Sequence, residues 1–243
     1  MGLIDQMQDK NRIQRGMRDY TTGSLWGIDC VCVLSRIGKV AASATVATLI
    51  ERFDVTHIVF TGVAGSAGNN VEVGDIVLAE NLVQHDMDAT PLAARFEVPL
   101  TGISAFATDC RLSGLVGQAA FDFLAIDWID AIAHQDKLAF KLTTPRLHRG
   151  LIASGDEFIT SSDKIAALKL VLPEMLAVEM EGAAVAQVCF EFGIPFAVIR
   201  TISDNANENA SIDFKRFLER VAQRYAFHIV KRMCSALHMQ KED

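Results

Sequence analysis

Residues 176–207, LAVEMEGAAVAQVCFEFGIPFAVIRTISDNAN, decide the fold class of this chain, because they hold a helix followed directly by a strand. The pattern predicts a helix over 182–192 and a buried strand over 195–203. Two acids, Glu179 and Glu181, stand immediately before the helix. An acid beside segments this hydrophobic needs a partner or a function, since burying an unpaired charge is costly.

The same alternation continues outside this stretch. A helix and then a buried strand at 28–35 are predicted near the amino end, and the later elements are a helix over 38–53, a strand with a glycine-rich turn over 56–68, a helix over 109–124, a strand opening into a loop over 148–159, and an amphipathic helix over 213–237. This order predicts an α/β fold with a largely parallel sheet flanked by helices. No repeat or low-complexity linker marks a boundary, so we expect residues 1–243 to form a single domain.

Composition limits the class of function. Half of the residues are hydrophobic and 22% are charged, as in a globular protein, and a net charge of −7 disfavours a nucleic-acid-binding surface. No uninterrupted apolar run reaches the roughly 20 residues of a membrane-spanning helix, and residues 1–16 lack the apolar core of a signal peptide. The five cysteines form no CxxC pair, which favours reduced core thiols. We expect a cytoplasmic protein that binds a small molecule, with neither nucleic acid nor membrane as a partner.

Glycines and polar residues follow three of the predicted strands, at 62–68, 154–159 and 203–204. Ligands bind at the carboxyl ends of strands in sheets of this kind, so these positions are the candidate site. Asp204 is either a helix N-cap, which spacing alone favours, or an acid whose pKa is raised in a cleft. The cluster of Glu179 and Glu181 favours the cleft.

Residues two apart point in opposite directions in a strand, so one of the two glutamates could face the cleft while the other pairs with a cation. Arg200 is the nearest candidate for that cation in the sequence.

Two further features carry a weaker signal. No Lys or Arg occurs within 54–80, so an anion bound at 62–68 would depend on backbone groups alone, and a neutral sugar fits that loop better. His85, Asp86 and Asp88 could ligate a metal, but a single His with two Asp favours a polar loop instead.

Five motifs together resemble a known family. They are GVAGSAG (62–68), VEVGDIVLAE (71–80), SGDEFI (154–159), AVEMEGAAVAQVC (177–189) and IPFAVIRTISD (194–204). In order and spacing they are similar to the 5′-methylthioadenosine/S-adenosylhomocysteine nucleosidases of the nucleoside phosphorylase superfamily. The resemblance implies a single-domain nucleoside phosphorylase-like fold with a central mixed, mostly parallel sheet. It also implies a homodimer that hydrolyses the adenine N-glycosidic bond of both nucleosides without a metal or an organic cofactor.

The resemblance also assigns roles to residues. Asp204 would protonate adenine N7, with Ser203 orienting it, while Glu181 would hold the ribose hydroxyls and face the cationic sugar. The remaining contacts would be Phe158 stacking on adenine, the Ile159 backbone reading its edge, Gly65 and the Met180 backbone at the ribose, Arg200 fixing the acids and water, and Ile37 and Phe214 at the 5′-alkylthio group.

One motif of the family does not occur in the sequence. Family members begin with a strand ending in A-M-x-x-E, whose glutamate activates the attacking water, and counting back from TTGSLWG (21–27) places it before Met1. Neither Asp5 nor Asp19 occupies that position. A start site assigned too far downstream is the favoured explanation, because losing a central strand would leave buried backbone groups unpaired. A truncated chain, or a member that has lost hydrolysis, stays open, and the chain as written is predicted to have impaired activity.

Two other functions also stay open. A purine nucleoside phosphorylase shares the fold but normally carries an arginine beside the glycine loop, where this chain has Phe60; Arg36 is the nearby cation that could replace it. A catalytically impaired nucleoside-binding protein is disfavoured by Asp204 and Glu181, since a binder gains little from such acids. The sequence does not rank the 5′-substituted adenosines as substrates.

Overall fold

The computed structural model describes residues 2–206 and 210–242. The strands are β1 Gln8–Arg15, β2 Arg18–Leu25, β3 Ile28–Cys32, β4 Ile58–Ser66, β5 Ile76–Gln84, β6 Phe106–Ala107, β7 Leu147–Ser154, β8 Met175–Glu179 and β9 Phe196–Asp204. The helices are α1 Leu3–Gln6, α2 Lys39–Phe53, α3 Cys110–Asp122, α4 Trp128–Ala131, α5 His134–Ala139, α6 Ser162–Val171, α7 Gly182–Phe192, α8 Ala210–Phe217 and α9 Gln223–Glu242, with π-helical turns at Phe123–Asp127 and Leu218–Ala222. The predicted α/β fold class is confirmed.

The larger sheet has the strand order β6-β5-β7-β8-β4-β9, and β9 also pairs with β5, so the sheet closes on itself. The long ladders β4–β9, β5–β7 and β7–β8 are parallel. The ladders β5–β6, β4–β8 and β5–β9 are short and antiparallel. The sheet is therefore mixed and mostly parallel, as predicted, and β4, which pairs with both β8 and β9, brings the carboxyl ends of these three strands together.

Strand β9 runs through the centre of the molecule, and every residue in it is buried. Successive side chains in a strand point to opposite faces. Ile199 packs in one core cluster with α3 and α9, while Val198 packs in a second cluster with α2 and α7. Helices therefore cover both faces of the sheet, which explains why the first four residues of the strand, 196–199, are all hydrophobic rather than alternating with polar residues.

The amino-terminal region differs most from prediction. β1, β2 and β3 form a separate antiparallel sheet, in which β1 and β2 were not predicted. The side chains of β1 are polar on both faces and almost all exposed, so the strand carries no hydrophobic pattern. The predicted helix is only the single turn α1, and β3 is shorter than 28–35 and half-buried rather than buried.

Two expectations about individual segments also need correction. The cysteines carry free thiols, but Cys110 is exposed rather than in the core. The helical run Cys110–Ala131 is long and apolar enough to cross a membrane on length and composition alone. The sequence expectation considered only uninterrupted apolar runs and therefore did not include it. It is interrupted by Asp122 and Asp127, and Val116 on its inner face belongs to the core.

Candidate active site

Gly65 lies where three strands of the larger sheet meet. It pairs with Val178 of β8 on one side and with Asp204 of β9 on the other. A Cβ atom at this position would lie 2.9 Å from the Ala206 Cβ and 3.1 Å from Asp204 Oδ1, so only glycine lets the segments approach. Because neighbouring strands lie about 4.8 Å apart, the ends of β8 and β9 are within roughly 10 Å of each other. Gly65 itself belongs to β4, so the glycine turn predicted over 62–68 is largely strand.

Asp204 ends β9 and is held in place by its neighbours. Its side chain is buried, with the residue 6% exposed. Oδ2 accepts a hydrogen bond from Ser203 Oγ at 2.7 Å, and Oδ1 accepts from the Ala206 N–H at 2.8 Å. Within the described residues Asp204 is the last residue of β9, and α8 is described from Ala210.

Glu179 and Arg200 form a buried ion pair behind this strand end. Arg200 is 1% exposed, and its Nη2 donates to Glu179 Oε2 at 2.7 Å. The same carboxylate accepts from the backbone N–H groups of Glu181 and Gly182 at the start of α7 and from the Ser154 hydroxyl. These bonds satisfy the acid fully, as a buried pair requires. Arg200 therefore contacts Glu179, and no direct contact with a ligand follows from its position.

Glu181 is the other acid of the cluster and is not in a strand. β8 ends at Glu179, and Glu181 is the N-cap residue of α7, so the expectation that the two point oppositely within a strand is wrong. Its Oε1 accepts from the Gly38 N–H at 2.8 Å. Burial, followed by the charge of Glu179, raises the pKa of Glu181 to about 7, against the opposing effects of Arg200 and Gly38. Near neutral pH both the protonated and the ionised form of this carboxyl are therefore populated.

The predicted base-binding residues lie on the loop after β7. Ile159 is buried and packs in one cluster with Ala206, next to Asp204. Phe158 is 40% exposed, and its ring meets that of Phe214 edge-on with centroids 5.6 Å apart. An aromatic face beside a buried acid can hold a planar base.

The last two predicted residues flank Glu181 in different ways. Met180 is half-buried beside it in the chain, and Ile37, which is 70% exposed, precedes Gly38. The loops after β3, β4, β7, β8 and β9 therefore surround one region.

Sequence reasoning missed the residues that hold α2 to this region. Gly38 reaches Glu181, and the Lys39 N–H donates to Asp156 Oδ1 at 2.9 Å. A signal for them exists in the sequence: the predicted helix starts with Gly and Lys, neither of which supplies the side-chain oxygen that an N-cap normally provides.

Two of the three residues considered as metal ligands are hydrogen-bonded to other groups. Asp86 Oδ1 accepts from Lys39 Nζ at 2.7 Å, and Asp88 Oδ1 accepts from the N–H of Thr90 at 3.1 Å. His85 is buried. Within residues 2–206 and 210–242, no group of three or more His, Cys, Asp or Glu side chains could hold a metal ion.

Comparisons with known proteins agree with one another. The family profile described as "Phosphorylase superfamily" matches residues 3–234. The 5′-methylthioadenosine/S-adenosylhomocysteine nucleosidase of Shewanella denitrificans is 35% identical over 212 residues, covering 87% of this chain and 84% of that protein.

Solved structures give the same result. The nucleosidase of that name from Neisseria meningitidis, in complex with methylthio-immucillin-A, is 33% identical with a TM-score of 0.81, covering 96% of this chain and 92% of that one. The one from Colwellia psychrerythraea, in complex with adenine, is 32% identical with a TM-score of 0.83, covering 97% and 89%.

Proposed function

We propose that this chain, which belongs to the 5′-methylthioadenosine/S-adenosylhomocysteine nucleosidase family of the phosphorylase superfamily, hydrolyses the N-glycosidic bond of those two nucleosides and releases adenine. One observation carries the proposal. A buried acid held by Ser203 ends β9, and an acid with a pKa of about 7 lies two residues after the end of β8; both strands pair with Gly65. Two carboxyl groups beside one bond are the usual arrangement for breaking a glycosidic bond.

In the proposed reaction the bond between the sugar C1′ and adenine N9 breaks, and its electron pair leaves with the base. Asp204 donates a proton to adenine N7, so the base departs neutral. Glu181 holds the ribose hydroxyls, and its carboxylate stabilises the positive charge that develops on the sugar. Water then adds to C1′ and loses a proton to the solvent, from which Asp204 regains the proton that left with adenine. We assign no residue of the described ranges to activation of that water.

The other site residues would place the substrate. Phe158 would stack on adenine, and the Ile159 backbone would hydrogen-bond its edge. The Met180 backbone would lie along the ribose, and Ile37 and Phe214 would contact the 5′-alkylthio group. Arg200 would act through Glu179, whose hydrogen bonds fix the backbone on which Glu181 stands.

Two observations favour hydrolysis over phosphorolysis. Phe60 stands where a phosphorylase carries its arginine, and the Arg200 guanidinium that lies over its ring at 4.2 Å is bound to Glu179. Arg36, the alternative phosphate ligand, donates from Nη2 to the Met17 carbonyl oxygen at 2.6 Å. Both guanidinium groups therefore already have partners.

We further propose that residues 1–243 form one cytoplasmic domain that works as a homodimer, with neither nucleic acid nor membrane as a partner. Leu34, Ile37 and Val40 support the dimer, because these apolar side chains are exposed together beside the site. Analytical ultracentrifugation should give twice the monomer mass, and a monomer at all concentrations would contradict the dimer.

Incubation with 5′-methylthioadenosine in phosphate-free buffer tests the proposed reaction. Free adenine and 5-methylthioribose are expected, at a rate that added phosphate does not change. Release that requires phosphate and yields a sugar 1-phosphate would instead identify a phosphorylase. Calorimetric binding of the nucleoside without any release would identify a binding protein, and either result would refute the proposal.

A further inference from the structure

The amino end of α2 has no side-chain cap of its own. Gly38 occupies the N-cap position with a φ of 95° and offers no oxygen. Carboxylates from two distant loops accept the free N–H groups instead: Glu181 accepts from Gly38 at 2.8 Å, and Asp156 accepts from Lys39 at 2.9 Å. The start of α2 is therefore tied to the loops that follow β7 and β8.

Lys39 puts a cation in the first turn of α2, where the helix dipole disfavours positive charge. Its ammonium group donates to Asp86 Oδ1 at 2.7 Å and to Gln84 Oε1 at 3.1 Å, and it lies 3.8 Å from Asp156 Oδ2. Asp86 Oδ2 also accepts from the Asp156 N–H at 2.9 Å. Lys39 and Asp86 thus connect α2, the end of β5 and the loop after β7.

The surroundings favour the charged form of Asp86 and support the loop that Asp86 contacts. Burial raises the pKa of Asp86, but the hydrogen bonds from Lys39 and the Asp156 N–H outweigh it and leave the pKa below its usual range. The His85 ring is buried and packs against Gly155, where a Cβ atom would lie 2.3 Å from the ring. The ring therefore supports the backbone immediately before Asp156.

We propose that Lys39 and Asp86 are positioning residues for the reaction proposed above, on which this inference rests. They hold the start of α2 and the loop 154–159 together, so that the Gly38 N–H meets Glu181 and Phe158 stays over the base. Neither side chain contacts the nucleoside. The polar residues at 85–86 thus have a role in positioning rather than in binding a metal.

The variant Lys39→Met tests this role. We expect kcat/KM for 5′-methylthioadenosine to fall roughly 10- to 100-fold, the scale of a small misplacement of catalytic groups. The acidic limb of the kcat/KM profile should move to higher pH, because Glu181 loses the Gly38 hydrogen bond that lowers its pKa while its charged neighbours Glu179 and Arg200 stay. A purely structural role would not move that limb.

Three further variants sharpen the test. Lys39→Arg keeps the cation and should retain activity within about threefold. Asp86→Asn should lower kcat/KM about as much as Lys39→Met does. In the double variant it should lower kcat/KM by less than about a further twofold, since the two residues act as one unit. Lys164→Met is the matched control: Lys164 pairs with Glu157 on the same loop but at the surface, and should change activity less than about twofold.

Hydrogen–deuterium exchange separates this inference from the proposed function. Without substrate, the backbone amides of residues 36–41 should exchange faster in Lys39→Met than in wild type. In Lys164→Met their exchange rate should equal that of wild type. If the wild-type chain releases no adenine, the proposed function fails and exchange alone decides the positioning role. Lys39→Met matching Lys164→Met in exchange, or in both rate and pH profile, would overturn the inference.

Discussion

Replacing Glu181 by Gln should stabilise the protein at alkaline pH while it impairs the reaction. The carboxyl titrates near its ordinary pKa of 4.5 when unfolded but at about 7 when folded, so the native state binds more protons between these values. The stabilisation this gives is fully present below pH 4.5 and is lost as pH rises to about 7. At about 1.4 kcal/mol per pH unit, the loss amounts to about 3 kcal/mol.

Glutamine removes that loss but keeps an oxygen for the Gly38 N–H. Its buried amide N–H₂ costs about 1 kcal/mol if unpaired, which leaves a net gain of about 2 kcal/mol above pH 8. Urea unfolding of wild type and Glu181→Gln at pH 5 and pH 8.5 measures the difference. Near pH 5 the two should be within about 1 kcal/mol of each other.

Glu80→Gln is the control, because Glu80 is exposed on β5. It should change the free energy of unfolding by less than about 0.5 kcal/mol at either pH. A Glu181→Gln variant that is less stable than wild type at pH 8.5, or whose difference does not depend on pH, would refute the reasoning. A gain in stability with lost adenine release would show that the site carries a cost in stability for its function.

Three further substitutions test the site. Gly65→Ala should reduce kcat/KM at least about 100-fold and destabilise by about 1–3 kcal/mol, because its Cβ would press on Ala206 and Asp204; wild-type kinetics would contradict this. Arg200→Met should destabilise by about 3–5 kcal/mol in thermal or urea unfolding by leaving Glu179 unpaired, and adding Glu179→Gln should restore part of it. Phe158→Ala should raise KM about tenfold by losing base stacking while the melting temperature hardly moves; an unchanged KM would exclude stacking.

Hydrophobic continuity decided what the sequence could predict about the fold. α7 was predicted over 182–192 and observed at Gly182–Phe192, and β9 lies one residue from its predicted bounds. β9 packs in two core clusters and α7 packs in the second of them, so the hydrophobic patterns of both elements are strong. β1 has no such pattern, because hydrogen bonds to β2 rather than burial define it. Pairing of that kind leaves no periodic signal in a polar strand.

The site shows the same limit at the level of single residues. Asp204 could be placed at a strand end, since the run before it is apolar, and Ser203 lies beside it in the chain. The contact of Gly38 with Glu181 spans 143 positions and is created by the fold alone. The glutamate that pairs with Arg200 also could not be predicted. Side chains alternate in direction only within a strand, and β8 ends at Glu179, before Glu181.

The most direct test of Asp204 as the acid compares two leaving groups in the variant Asp204→Asn. Adenine needs a proton to leave, so turnover of 5′-methylthioadenosine should fall about 10²- to 10⁴-fold. In the p-nitrophenyl glycoside of 5-methylthioribose the leaving group is p-nitrophenolate, a stable anion that needs no proton. Its hydrolysis by the variant should therefore stay within about tenfold of the wild-type rate. Equal losses on both substrates, or no loss on 5′-methylthioadenosine, would contradict the account.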